Sequence, residues 1–170
     1  MKLKNLTLGA VVSALIIALF YVATLIQTAT VAIYYVISIL LMVLVLESGI
    51  RTSIVSYVAT AIILAFISPD KGMAIAYTMF IGLHPVLKAF FERPHKLIRH
   101  WMLKLPFFVI VTVAGMFIFS AFVAKFNIGY KILIGVGVVF AMCVYDFLLS
   151  FGITYYNKYL SDRIFKSRKP

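Results

Sequence analysis

Acidic side chains are nearly missing from this sequence: Asp and Glu together number 5 in 170 residues, against 16 Lys and Arg. Charged residues of either sign reach only 12%, apolar residues 64%, and the mean hydropathy is +1.10. A soluble domain is about half apolar and about a quarter charged. Too few polar side chains are therefore present to cover a water-soluble globule, and lipid is the consistent solvent. The single cysteine, Cys143, excludes an intrachain disulfide framework and a CxxC metal motif. It lies in an apolar run and reads as a small packing residue. The three histidines, His84, His95 and His100, form no HxxxH or HExxH pattern. A Gly-rich phosphate loop is missing too, because Gly135-x-Gly137 sits in an apolar stretch without the flanking pattern of a nucleotide fingerprint. Neither metal nor cofactor is expected, and the chain is read as a non-enzyme. The net charge of +11 raises nucleic acid as a partner. The Lys and Arg residues nevertheless sit at the ends of hydrophobic runs, where they face anionic headgroups, so no nucleic acid is expected.

What is there instead is a succession of membrane-length apolar segments. A membrane helix needs about 20 mostly apolar residues, and six segments meet that length: 6–27, 31–48, 50–68, 72–92, 103–125 and 130–157. The expectation is an all-α integral membrane protein of the cell membrane. It is one multi-pass transmembrane domain over residues 1–170, a bundle of six helices in the lipid bilayer. Ser68-Pro69-Asp70-Lys71-Gly72 is the strongest of the turn signals between spans. All 16 Lys and Arg except Lys71, Lys125 and Lys131 fall on the side that also holds the two termini. The positive-inside rule then places both termini in the cytoplasm. Between the fourth and fifth spans, Glu92–Lys104 carries Leu97, Ile98, Trp101 and Met102 on one helical face and Lys96, Arg99, His100 and Lys104 largely on the other. This spacing predicts a short amphipathic interfacial segment, or a docking element for a cytoplasmic partner.

Two internal patterns stand out. Ala10, Ala14 and Ala18 recur every fourth residue with Gly9 and Ser13 beside them, which makes a smooth stripe on one face of the first helix. Small residues let another helix approach closely in lipid, either within the bundle or from a partner. Ionisable residues inside spans are costly and hence candidates for function. Asp146, His84 (followed by Pro85) and Lys88 are such residues. An Asp146–Lys88 or Asp146–His84 pair is expected, serving as a proton relay, as a hinge, or to fix helix register.

The segment Lys4-Asn5-Leu6-Thr7-Leu8-Gly9-Ala10-Val11-Val12-Ser13-Ala14-Leu15-Ile16-Ile17-Ala18-Leu19 resembles the first helix of the substrate-binding S components of energy-coupling-factor vitamin transporters. That family has six helices, cytoplasmic termini, a similar length and an AxxxA motif in the first helix. The resemblance implies that this chain docks through Ala10, Ser13, Ala14 and Ala18 on a coupling transmembrane subunit driven by two ATPase subunits. It also implies a small-molecule ligand, a vitamin or similar micronutrient, bound in a pocket open to the outer face. Topology places Gln27, Thr28, Tyr34, Tyr35, Asp70, Lys71, Tyr77, Lys125, Asn127 and Tyr130 there. Tyr at the interface is equally expected of any membrane protein. Outer-face Trp and longer outer loops, used by several vitamin-binding members, are lacking, so no particular substrate is implied. The alternative is a non-transporting scaffold similar to the rod-shape-determining membrane proteins.

Overall fold

A computed structural model describes residues 3–91, 97–118, 120, 127–156 and 158. Among them the fold is all-α, without strands. The helices are α1 (Leu3–Leu25), α2 (Thr30–Ser48), α3 (Ile50–Ile67), α4 (Lys71–Ala76), α5 (Leu83–Phe91), α6 (Leu97–Ile118) and α7 (Ile128–Tyr155). A 3-10 turn, Gln27–Ala29, precedes α2, and a π turn, Tyr77–Ile81, joins α4 to α5. Five stretches are long and apolar enough to cross a bilayer: α1, α2, α3, Lys71–Phe90 and α7. The apolar part of α6, Lys104–Ile118, is shorter. This is a multi-pass membrane protein. Leu97–Lys104, expected as a separate interfacial segment, is helical and continuous with the rest of α6. Residues 92–96, and the side chains of 97–101 and 103, lie outside the described residues.

Two compact units divide the chain, Met1–Phe90 with Leu149–Pro170, and Phe91–Leu148, with a boundary inside α7. In the first unit the junctions are tight. Gly49 alone separates α2 from α3, at φ 83, where a side chain would be strained. Its N–H donates to the Val45 carbonyl at 3.0 Å, closing α2. At the other end of α3, Ser68 Oγ donates to the Asp70 carbonyl at 2.7 Å, and Asp70 Oδ1 accepts the Met73 N–H at 3.1 Å as the cap of α4. Lys71 Nζ turns back to the last carbonyls of α3, at 2.9 Å from Ala65 O and 3.3 Å from Phe66 O.

The core of this unit is built from Val12, Ile16 and Phe20 of α1, which share one helical face. They pack with Ile37, Leu41 and Leu44 of α2, Ala61 and Leu64 of α3, and Ala74, Tyr77 and Ile81. Gly9 sets the approach of α1 to α3: a Cβ there would lie 2.8 Å from Ser56 Oγ and 3.2 Å from Thr52 Cγ2. Three buried hydroxyls of α3 are satisfied locally, Thr52 Oγ1 donating to Ser48 O, Ser53 Oγ to Gly49 O and Thr60 Oγ1 to Ser56 O. Back-bonding of this kind keeps a polar helix face acceptable in lipid. The end of α7 belongs here too, since a Cβ on Gly152 would meet Tyr35 Oη at 3.0 Å, and Tyr156 Oη donates to Glu47 Oε1 at 3.1 Å.

The second unit holds α6 and α7 up to Leu148. Thr112 Oγ1 donates to Phe108 O at 2.8 Å and approaches Met142 Sδ at 3.9 Å. Pro106 lies inside α6 and removes the N–H that would bond Met102 O, a break that membrane helices tolerate.

Gly9→Leu is expected to destabilise the chain by about 1–3 kcal/mol through overpacking against α3, seen as a lower midpoint of thermal unfolding in detergent. Ala10→Leu, one residue along on an exposed face, is expected to change stability by less than about 0.5 kcal/mol. Equal shifts for the two would show that Gly9 does not set the seam.

Candidate functional site

The span Lys71–Phe90 is where the backbone departs from a regular helix, and side chains of two neighbouring helices hold the departure. Gly82 N–H bonds Tyr77 O at 2.8 Å, five residues back, and so bypasses its regular acceptor, the Thr78 carbonyl. Tyr57 Oη of α3 donates to that carbonyl at 2.6 Å. Pro85 has no N–H to give Ile81 O, and Ser38 Oγ of α2 donates to it instead at 2.9 Å. Gly82 is needed for this arrangement, because a Cβ there would lie 2.8 Å from the Tyr57 ring and 2.9 Å from Tyr77 Cζ. Short π turns of this kind are frequent at functional sites.

The bend directs Tyr77 into the core, fully buried. Its hydroxyl and Thr60 Oγ1 are 2.6 Å apart. The Phe20 ring lies edge-on to Tyr77 at 6.2 Å and is 6.1 Å from Tyr34, while Tyr57 is 6.2 Å from Tyr77. Tyr34 and Tyr77, both expected at an outer pocket, are thus brought together around Phe20. Phe20, Ser38, Tyr57 and Thr60 complete the cluster and were not singled out from sequence. Their signal is tertiary, apart from Pro85, which announces an orphan carbonyl needing a donor.

One turn beyond the bend, His84 is 2% exposed with its ring 5.0 Å from Phe80, and Lys88 is 1% exposed with Nζ donating to Ser150 Oγ at 2.7 Å. In the second unit Asp146 binds Lys104, with Oδ2 and Nζ 2.8 Å apart and the two side chains 5% and 6% exposed. Lys104 is the correction here. The amphipathic pattern of Glu92–Lys104 puts it on the polar face of an interfacial segment, yet α6 begins at Leu97, so Lys104 lies two turns inside the helix and is buried. A carboxylate and an ammonium so placed satisfy each other's charge where lipid supplies no counterion.

Several remaining candidates hold helix ends. Asp70 and Lys71 are exposed and engaged in the α3–α4 turn described above. Asn127 Oδ1 accepts the Ile128 N–H at 2.7 Å and its carbonyl accepts the Lys131 N–H at 3.1 Å, opening α7. Thr28 and Tyr130 are exposed and Tyr35 is half-buried beside Gly152. The Gln27 side chain and Lys125 lie outside the described residues. On α1 the faces separate cleanly. Gly9, Val12, Ile16 and Phe20 are buried, Ser13 is half-buried, and Ala10, Ala14 and Ala18 are exposed. The alanine stripe is therefore no part of this unit's core.

Asp146→Asn is expected to cost about 3–5 kcal/mol by leaving the Lys104 ammonium buried without a carboxylate, and the double substitution Lys104→Met with Asp146→Leu to recover most of it. Thermal unfolding in detergent measures both, and an additive double variant would remove the pair from the account. Ser38→Ala strips the donor from the Ile81 carbonyl, for an expected loss of about 1–3 kcal/mol. Pro85→Ala restores that carbonyl's own partner, so Ser38→Ala should cost less in a Pro85→Ala background.

Compared with known proteins, the chain matches no family model, no curated protein and no solved structure. What stands on the fold itself is a multi-pass, all-α membrane protein.

Proposed function

We propose that this chain is the substrate-binding subunit of an energy-coupling-factor type importer for a vitamin or similar small micronutrient. It docks on a coupling transmembrane subunit through Ala10, Ser13, Ala14 and Ala18, and the two ATPase subunits behind that partner supply the energy. The chain itself catalyses no reaction and carries no cofactor. The observation that carries this reading is the exposure of the alanine stripe: Gly9, Val12, Ile16 and Phe20 of α1 are buried, whereas three alanines in one row are exposed. Both termini lie in the cytoplasm on this reading, with Glu92–Lys104 at the inner interface. Lys88 and Lys104 are buried and drop out of the charge count, but Lys2, Lys4, Arg51, Arg93, Lys96, Arg99, Lys158, Arg163, Lys166, Arg168 and Lys169 still stand on the inner side. The ligand is small and neutral or anionic. The binding region on this reading lies near the end of the first unit that carries Thr28, with half-buried Tyr34 beside it.

Ala14→Trp is expected to reduce copurification of a co-expressed coupling subunit and its ATPases at least tenfold, equivalent to about 1.4 kcal/mol, with unfolding of the isolated chain unchanged. Undiminished association would sink the docking stripe. Binding of a micronutrient should raise the unfolding temperature of the detergent-solubilised chain. A chain that takes up no ligand and no ATPases would be a scaffold rather than a transporter subunit.

A further inference from the structure

The second unit carries a feature that this reading does not use. A groove of about 450 Å³ runs between α6 and α7, lined by Val109, Val113, Met116, Gly135, Val136 and their neighbours, and among the described residues Lys131 is the charged one on its wall. That volume is within the range of ligand pockets, about 300–1,000 Å³. Thr112, the other polar residue lining the groove, directs its hydroxyl to Phe108 O, so the surface offered inside is hydrocarbon. Gly135 leaves the floor open, and a Cβ there would already meet Met116 Cε at 3.0 Å.

The depth of the groove fits one leaflet. From Lys131 to Val139 the helix rises about 12 Å at 1.5 Å per residue, close to half of a hydrocarbon core about 30 Å thick. With 28 residues, α7 is about 42 Å long and exceeds that core by about 6 Å at each end if centred. Lys131 is the fourth residue of α7 and then stands at the headgroup boundary, with exposed Tyr130 beside it as an interfacial aromatic. The ammonium groups of Lys71, Lys88 and Lys104 are each directed at an acceptor within the protein. Lys131, half-buried, lines the apolar groove instead. A neighbouring helix filling the groove would seal a charge against hydrocarbon, whereas an anionic headgroup supplies its counter-charge and one acyl chain fills the space below.

We propose that the α6–α7 groove is a binding site for one anionic phospholipid of the surrounding leaflet, its phosphate at Lys131 and an acyl chain along Val113, Gly135 and Val136. The test uses the delipidated full chain in detergent, mixed with dioleoyl phosphatidylglycerol or dioleoyl phosphatidylcholine and weighed by native mass spectrometry. One phosphatidylglycerol should be retained, with at least a tenfold preference over phosphatidylcholine. Lys131→Gln should abolish that preference, and Gly135→Leu should lower retention of both lipids while the helical circular dichroism is unchanged. Equal retention of the two lipids by the parent chain, or a preference that survives Lys131→Gln, would overturn the headgroup contact. Retention indifferent to Gly135→Leu would place the lipid elsewhere. A dimer that Gly135→Leu dissolves would make a second copy the occupant and end the proposal.

Discussion

In lipid a backbone carbonyl that loses its helical donor has no water to turn to, and in this chain that constraint is met at one place by side chains from two other helices. The π turn frees the Thr78 carbonyl and Pro85 frees that of Ile81, and Tyr57 of α3 and Ser38 of α2 donate to them. The bend is consequently a property of three helices rather than of its own sequence. The two bonds tie α2 and α3 to the fourth span. The same bend sets Tyr77 against Phe20 and Thr60, so the centre of the core depends on these two hydrogen bonds.

The lysines illustrate how environment decides the role of one residue type. At a helix junction Lys71 closes the open carbonyls of α3. Lys88, fully inside the first unit, meets the hydroxyl of Ser150, and Lys104 meets the carboxylate of Asp146. A buried pair of this kind is weak evidence for stability but strong evidence that neither partner was placed by chance, because each is destabilising without the other. Asp and Glu number only 5 in the whole chain, so committing one of them to an interior pair is a considerable share of the available negative charge.

Hydropathy and turn residues made the apolar helices legible, since length and composition alone separate a span from a loop. Pro85 gave warning of an irregular fourth span. The π turn before it had no such sign, because its causes are the Tyr57 ring and the space left by Gly82, which are tertiary. Lys104 was misplaced for a different reason. The basic residues around it read as loop, and only the continuity of α6 from Leu97 puts it inside. Asp70 and Lys71 were recognised as turn residues but valued for a pocket. Their side chains in fact complete the turn, as the position of Asp70 three residues before Met73 allows.

The outward face of α1 has a shape as well as a composition. Its row at every fourth residue runs Leu6, Ala10, Ala14, Ala18, Val22, with all five exposed and the large side chains only at the ends. Beside it Val11 and Leu15, also exposed, form a ridge. The result is a notch about 12 Å long between Ala10 and Ala18, bounded on two ends and one side. Lipid chains gain little from such a notch, because apolar surface in lipid is not driven to associate and close packing is what stabilises helix contacts there. A crossing helix gains more, since ridges seat in grooves at helical spacing. On its inner face α1 already meets α3 in this manner at Gly9, against Thr52 and Ser56. The outer notch repeats that geometry, and among the described residues of its own unit no helix fills it.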